Sequence, residues 1–254
     1  MRRAFAVLAA TLLCACLPSA ARAGQSVRLH ATLTPDRLGQ RTTLGFGIEI
    51  LAPAGKAPSP VIAIDLSYPN EFGIGLSGLG VETCPPATLE ELGPLACPAD
   101  SRMGFGTALV EIPIGPVILR ERANLAVVRA PVKNGRFALM LYADGSSPVE
   151  AQIALPALLL PASGPFGGRV NIHLPLVPSV PEAPDVALVQ FSAKLGPEHL
   201  TYYEHVNGRT IPYHPKGILL PSRCPRGGFP FLAAFAFLDG THAKARTVVP
   251  CPGR

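Results

Sequence analysis

The densest set of side chains able to do chemistry lies between His199 and His214, in the segment HLTYYEHVNGRTIPYH. It holds three of the six histidines (His199, His205, His214) and three of the five tyrosines (Tyr202, Tyr203, Tyr213), with Glu198 and Glu204 beside them. Imidazole and carboxylate together can ligate zinc or supply a general base. Tyrosines offer flat, amphipathic faces that can bind a sugar or a peptide instead. The same residues also make an ordinary hairpin. Asn207-Gly208 is a tight-turn dipeptide, so 203–206 and 209–213 pair as strands in which aromatic residues are favoured simply for cross-strand packing. In that register Val206 faces Arg209 and His205 faces Thr210. Tyr203 and His205 then share one face and Glu204 takes the other, so these three do not converge. Tyr202, Tyr203, His205, Tyr213 and His214 are the candidate ligand-binding residues, and no catalytic set, metal site or cofactor is assigned.

Other chemistries find less support. Ser163 and Ser146-Ser147 follow turn residues, but no G-x-S-x-G elbow presents a nucleophile. Glu90-Glu91 are adjacent on a short helix and point apart, the wrong geometry for an acid/base pair. Asp65, Asp144, Asp185 and Asp239 fall at strand ends or turns, and no D-x-D-x-D loop marks a calcium site. The glycines of EFGIGLSGLG (Gly73, Gly75, Gly78, Gly80) precede a cysteine loop rather than a helix, so turn or bulge duty outweighs a phosphate cradle. Tryptophan is absent, which weakens a sugar-stacking reading.

Four cysteines remain after the first twenty-three residues: Cys84, Cys97, Cys224 and Cys251. The first twenty-three residues read as an export signal. Arg2 and Arg3 open it, an apolar run covers 4–16, and Ala21-Arg22-Ala23 is a small-x-small cleavage site. An alternative is a lipoprotein signal, in which Leu13 precedes an acylated Cys16. An even number of cysteines in an exported chain argues for disulfides rather than metal or catalysis, and neither pair has the spacing of a zinc knuckle. Of the three pairings, Cys84–Cys97 and Cys224–Cys251 are favoured because the partners stand only 13 and 27 residues apart. Loops of that size stabilise by roughly 3 kcal/mol each in the chain-entropy picture.

Removing the signal takes away three arginines and no acid, leaving nineteen basic against seventeen acidic residues, a net charge of +2. That balance, without a long basic run, gives no footprint for nucleic acid. No later segment has eighteen consecutive apolar residues, so no membrane span is expected. The implied partner is an unidentified cell-surface or extracellular molecule.

These residues need a scaffold, and the pattern supplies strands almost throughout. Segments 27–33 and 43–51 alternate apolar and polar with period two, as half-buried strands do. Further β-rich segments fall at 61–66, 105–112, 117–128, 137–143, 149–155, 169–174, 186–195, 229–238 and 243–249. Asn134-Gly135 and Asp239-Gly240 stand between such segments as hairpin turns. The 29 prolines and 25 glycines leave little room for long helices. One short helix is expected where Thr88-Leu89-Glu90-Glu91 fits a capping box and Pro94 stops it, a stapled excursion between Cys84 and Cys97 at one sheet edge. The proline-dense 174–185 reads as an extended surface connection that packs through Leu174, Leu176, Val177 and Val180. The expected fold is therefore all-β: a β-sandwich, or two closely packed immunoglobulin-like sandwiches over 24–131 and 132–254, with the boundary near 130–134.

Two elements carry a resemblance. Cys97-Pro98-Ala99-Asp100-Ser101-Arg102-Met103-Gly104 is a Cys-Pro-x-x-Ser-x-x-Gly element after a cysteine loop and before a strand, and Pro221-Ser222-Arg223-Cys224-Pro225 leads into another alternating strand. Together they resemble a module of uncharacterised exported proteins of high-GC Gram-positive bacteria. The resemblance implies a secreted or cell-envelope β-protein and carries no catalytic residues. The expectation is a structural or binding role, with a secreted hydrolase or a metal-binding extracellular domain built on the His199–His214 segment as the alternative.

Overall fold

The computed structural model describes residues 25–52, 56–74, 77–145, 147, 150–178, 185–196 and 199–252; the expected signal, its cleavage site and the alternative anchor at Cys16 lie outside them. Strands dominate, as the alternation requires: β1 (Ser26–Thr34), β2 (Arg41–Leu51), β3 (Val61–Pro69), β4 (Arg102–Ile114), β5 (Val117–Lys133), β6 (Arg136–Gly145), β7 (Ala151–Leu160), β8 (Phe166–His173), β9 (Ala187–Leu195), β10 (Tyr202–Val206), β11 (Arg209–Tyr213), β12 (Ile218–Leu219), β13 (Phe229–Phe237) and β14 (His242–Val249). Eleven of them form one antiparallel sheet in the order β1-β2-β9-β4-β5-β6-β7-β8-β3-β13-β14, with β12 added to β2 and β10–β11 standing apart as a hairpin. The sheet curls until β1 and β14 lie side by side, so the layers of the sandwich are two walls of one nearly closed sheet. Gln25 ties the two ends together, donating to Thr241 Oγ1 at 3.2 Å and to Asp239 Oδ2 at 3.4 Å. The stretch 130–134 forms the end of β5 and its Asn134-Gly135 turn, and β5 and β6 are direct ladder partners in the same sheet.

The core is the concave side. Phe229, Phe231, Ala233, Phe235 and Phe237 alternate inward along β13, and Phe46 meets Phe231 edge to face at 5.4 Å. Leu29 and Leu33 of β1, Leu44, Phe46, Ile48 and Ile50 of β2, and Ile64 and Leu66 of β3 join them. Burying a side chain of this size stabilises by roughly 1.5–3 kcal/mol.

The short helix, α1 (Pro86–Leu92), forms where the capping residues placed it, but by other means. Pro85 is its N-cap, Pro86 occupies the first turn, and no side chain caps it. Proline presets φ and has no N–H to satisfy there, so Thr88 lies inside the helix instead of capping it. The helix also covers a face rather than an edge. Leu89, with Cys84 and Cys97, packs on Val128, Ala130, Ala138, Met140 and Tyr142 from the convex side of β5 and β6. This explains why 138–142 is buried without interruption: both faces of β6 are covered there. Both expected disulfides are present, Cys84–Cys97 and Cys224–Cys251, with Cα atoms 5.2 and 5.9 Å apart.

Candidate functional site

The site emerges from the register of four neighbouring strands. Ala108 of β4 lies opposite Ala123 of β5, Ala123 opposite Gly145 of β6, and Gly145 opposite Ala151 of β7. Four inward positions in one row thus carry nothing larger than a methyl group. The next row, Gly106, Leu125, Ala143 and Ile153, is mixed, and the one after it, Gly104, Val127, Leu141 and Leu155, is bulkier. Side-chain volume therefore tapers along the inside of the sheet. Close packing fails at the small row, leaving an apolar chamber of about 150 Å³. Leu174, Pro175, Val177 and Val186, from the proline-dense connection and its far end, line part of its wall. That connection therefore packs as expected through Leu174 and Val177, whereas Leu176 is exposed and Val180 lies outside the described residues. A second void of about 70 Å³ adjoins the chamber, sharing Ile64, Leu141, Ile172 and Phe191 as common wall.

One ionisable side chain lines the chamber among the described residues: Glu121, 4% exposed, on β5 opposite Val110. Leu119, Glu121, Ala123, Leu125 and Val127 share one parity, so Glu121 faces inward with them while Arg120 and Arg122 face out. On the outer side Arg120 donates to Glu111 Oε1 at 2.9 and 3.1 Å. The other residues missed by sequence reasoning, Ala108, Ala123, Gly145 and Ala151, gain meaning only from their pairing.

Gly104 and Gly106 fix how closely β9 approaches this region. A Cβ at Gly104 would strike the Lys194 carbonyl oxygen, and one at Gly106 the Ser192 carbonyl oxygen. Only glycine allows β4 and β9 to run together there.

The His199–His214 hairpin forms in the expected register, Val206 opposite Arg209 and His205 opposite Thr210. Its candidate residues divide into separate places. Tyr202 and Tyr213 face each other across the ladder and lie half-buried against the body, whereas Tyr203 and His205 point to solvent on the opposite face. His205 Nδ1 is 3.0 Å from Thr210 Oγ1, and His214 Nδ1 is 3.1 Å from Thr201 Oγ1. Among the described residues no group of three or more His, Cys, Asp or Glu is placed to hold a metal ion. Gly73 bridges to Leu219, and Gly78 and Gly80 take positive φ, the turn duty expected of that stretch; Gly75 lies outside the described residues.

Beneath the hairpin the Arg102 guanidinium lies 5.2 Å from the centre of the Tyr202 ring, a cation–π contact. Burial pushes the Tyr202 phenol up to about 12, against the opposing pull of Arg102. Burial also raises Asp100, reinforced by Glu82 and Glu204, and raises Tyr213, reinforced by Asp100. Burial lowers Arg102. The inner face of the hairpin is thus a docking contact with the body.

Comparison with protein-family models, curated proteins and solved structures yields no match to this chain. Its two disulfides accord with an extracellular or envelope location, and among the described residues no helix is long and apolar enough to cross a membrane.

Proposed function

We propose that this is an exported binding protein that holds a small apolar molecule inside its curled sheet, acting by retention or delivery rather than by making bonds. One observation carries the reading: the row Ala108, Ala123, Gly145, Ala151 lines a chamber of about 150 Å³ where larger side chains would close the core. Leaving such a volume empty costs roughly 3–4 kcal/mol at about 24 cal/mol per Å³. An apolar occupant recovers part of that by restoring dispersion contacts. The size suits one aromatic ring or a short alkyl chain, since an apolar cavity of about 150 Å³ accepts benzene or xenon. Strand barrels of moderate size commonly hold one small ligand in this way. The signal-like N-terminus and the disulfides support release from the cytosol.

Titration of the purified protein with benzene, with 1-hexanol and with xenon tests the reading. Saturation at a hundred times Kd should add about 2.7 kcal/mol of stability, a rise in Tm of about 5–11 °C for a chain of this size. No shift with any of the three would refute interior binding.

A further inference from the structure

The chamber and the smaller void beside it lie in line along the strands. On β6, Gly145, Ala143 and Leu141 line the chamber, and Leu141 and Leu139 line the void. On β5 the lining passes from Leu125 in the chamber to Val127 in the void. From Gly145 to Leu139 the strand advances about 20 Å, at roughly 3.4 Å per residue. The residues common to both spaces are Ile64 of β3, Leu141 of β6, Ile172 of β8 and Phe191 of β9. They form a waist of apolar side chains, and side chains hop between rotamers without any ladder bond being broken.

The two ends of this path differ. The chamber reaches the surface at Pro175, which is exposed, whereas Leu44, Ile48, Leu66 and Leu139 enclose the void and are all buried. Tyr68 is the one lining residue of the void with a polar side chain, and its phenol oxygen lies against Gly168. A space that starts at the surface, runs along the strands and ends blind among leucines matches one unbranched aliphatic chain inserted tail first. A single ring would leave the blind end empty, whereas each methylene buried there is worth about fourfold in affinity.

We propose that the site takes the tail of a single-chain aliphatic amphiphile, with the polar head at the Pro175 end and the terminal methyl past the waist, against Ala193 and Leu139. This rests on the interior-binding reading and adds the ligand class to it.

The probes are 1-hexanol, 1-octanol and 1-decanol, with benzene and 1,10-decanediol alongside, titrated calorimetrically into the full mature protein and into Ala193→Leu and Ala193→Val. Ala193 lines the void and not the chamber, opposite Phe46 on one side and Gly106 on the other, so the added carbons fill the void alone. Wild-type affinity should climb about fourfold per methylene with no plateau before decanol. The diol should bind about tenfold more weakly than decanol, because its far hydroxyl would be buried without a partner. Ala193→Leu should remove the gain beyond hexanol and leave benzene binding unchanged. Ala193→Val should remove part of that gain, and it keeps the test open should the leucine overpack the void. Benzene binding with a series that levels off at hexanol, a gain that survives both Ala193 variants, or a diol as tight as decanol overturns this inference and leaves interior binding standing. Failure of benzene and of every alkanol to bind wild type overturns both.

Discussion

Filling the chamber from its wall is the sharpest test of whether the small-residue row leaves space for a purpose. Ala123 is central to that row, between Ala108 and Gly145, and is 9% exposed. Ala123→Leu adds three carbons to a chamber of about 150 Å³, enough to occupy much of it without reaching the opposite wall. At about 0.8 kcal/mol per buried carbon the transfer gain is about 2.4 kcal/mol. Fixing the leucine rotamer takes back about 0.5–1 kcal/mol, for a net gain near 1.5 kcal/mol. Tm should rise by about 3–6 °C, and the urea midpoint should increase with the slope m unchanged. The response to benzene should vanish in the same variant. Ala157→Leu is the contrast: Ala157 is fully buried in the main core and lines neither void, so the same addition there should overpack and destabilise by about 1–3 kcal/mol. A destabilised Ala123→Leu that still responds to benzene would show that the row does not border the binding space.

Gly106→Ala should destabilise by about 1–3 kcal/mol in urea unfolding, because its methyl meets the Ser192 backbone that β9 cannot withdraw without giving up its ladder to β4; a neutral result would mean that β9 stands farther off. The pH profile should show the buried phenol. Tyr202 is raised to about 12 in the fold, whereas its unfolded counterpart ionises near 10. The unfolded chain therefore releases that proton first, so stability should decline from about pH 10 and level off near 12. Tyr202→Phe should flatten this decline in thermal melts between pH 9 and 12, and an unaltered profile would count against a buried Tyr202.

Much of the scaffold was legible, and the reason is local. Period-two alternation marks β1, β2 and β13 because each buries one face. Asn207-Gly208 and Asn134-Gly135 announce hairpins because their positive φ is a property of the dipeptide. The disulfides followed from sequence separation. The helix was legible in place but not in mechanism, because Pro85-Pro86 start it where a capping threonine was expected. The order of strands was not legible: alternation fixes which face is buried but not which strand is the partner, so β9 between β2 and β4, or β3 between β8 and β13, leaves no local mark. The site was hidden for the same reason. Ala108, Ala123, Gly145 and Ala151 span more than forty residues and form a row only through the ladders. Glu121 reads as surface inside Arg120-Glu121-Arg122, yet its parity with Leu119, Ala123 and Leu125 points it inward. That parity was the available signal. The chemistry-rich hairpin drew attention by composition; Tyr202 and Tyr213 lie against the body, while Tyr203 faces solvent.

The meeting of β1 and β14 bears on how such a sheet avoids pairing with other copies of itself. The first and last strands of the ladder order come together without a backbone ladder between them, so each margin shields the other from strands of a second molecule. Outward-facing Arg28 on one margin and Lys244 and Arg246 on the other make stacking of copies costlier still. A sheet closed by proximity instead of hydrogen bonds is guarded against fibril growth and retains a seam that can part without breaking a ladder.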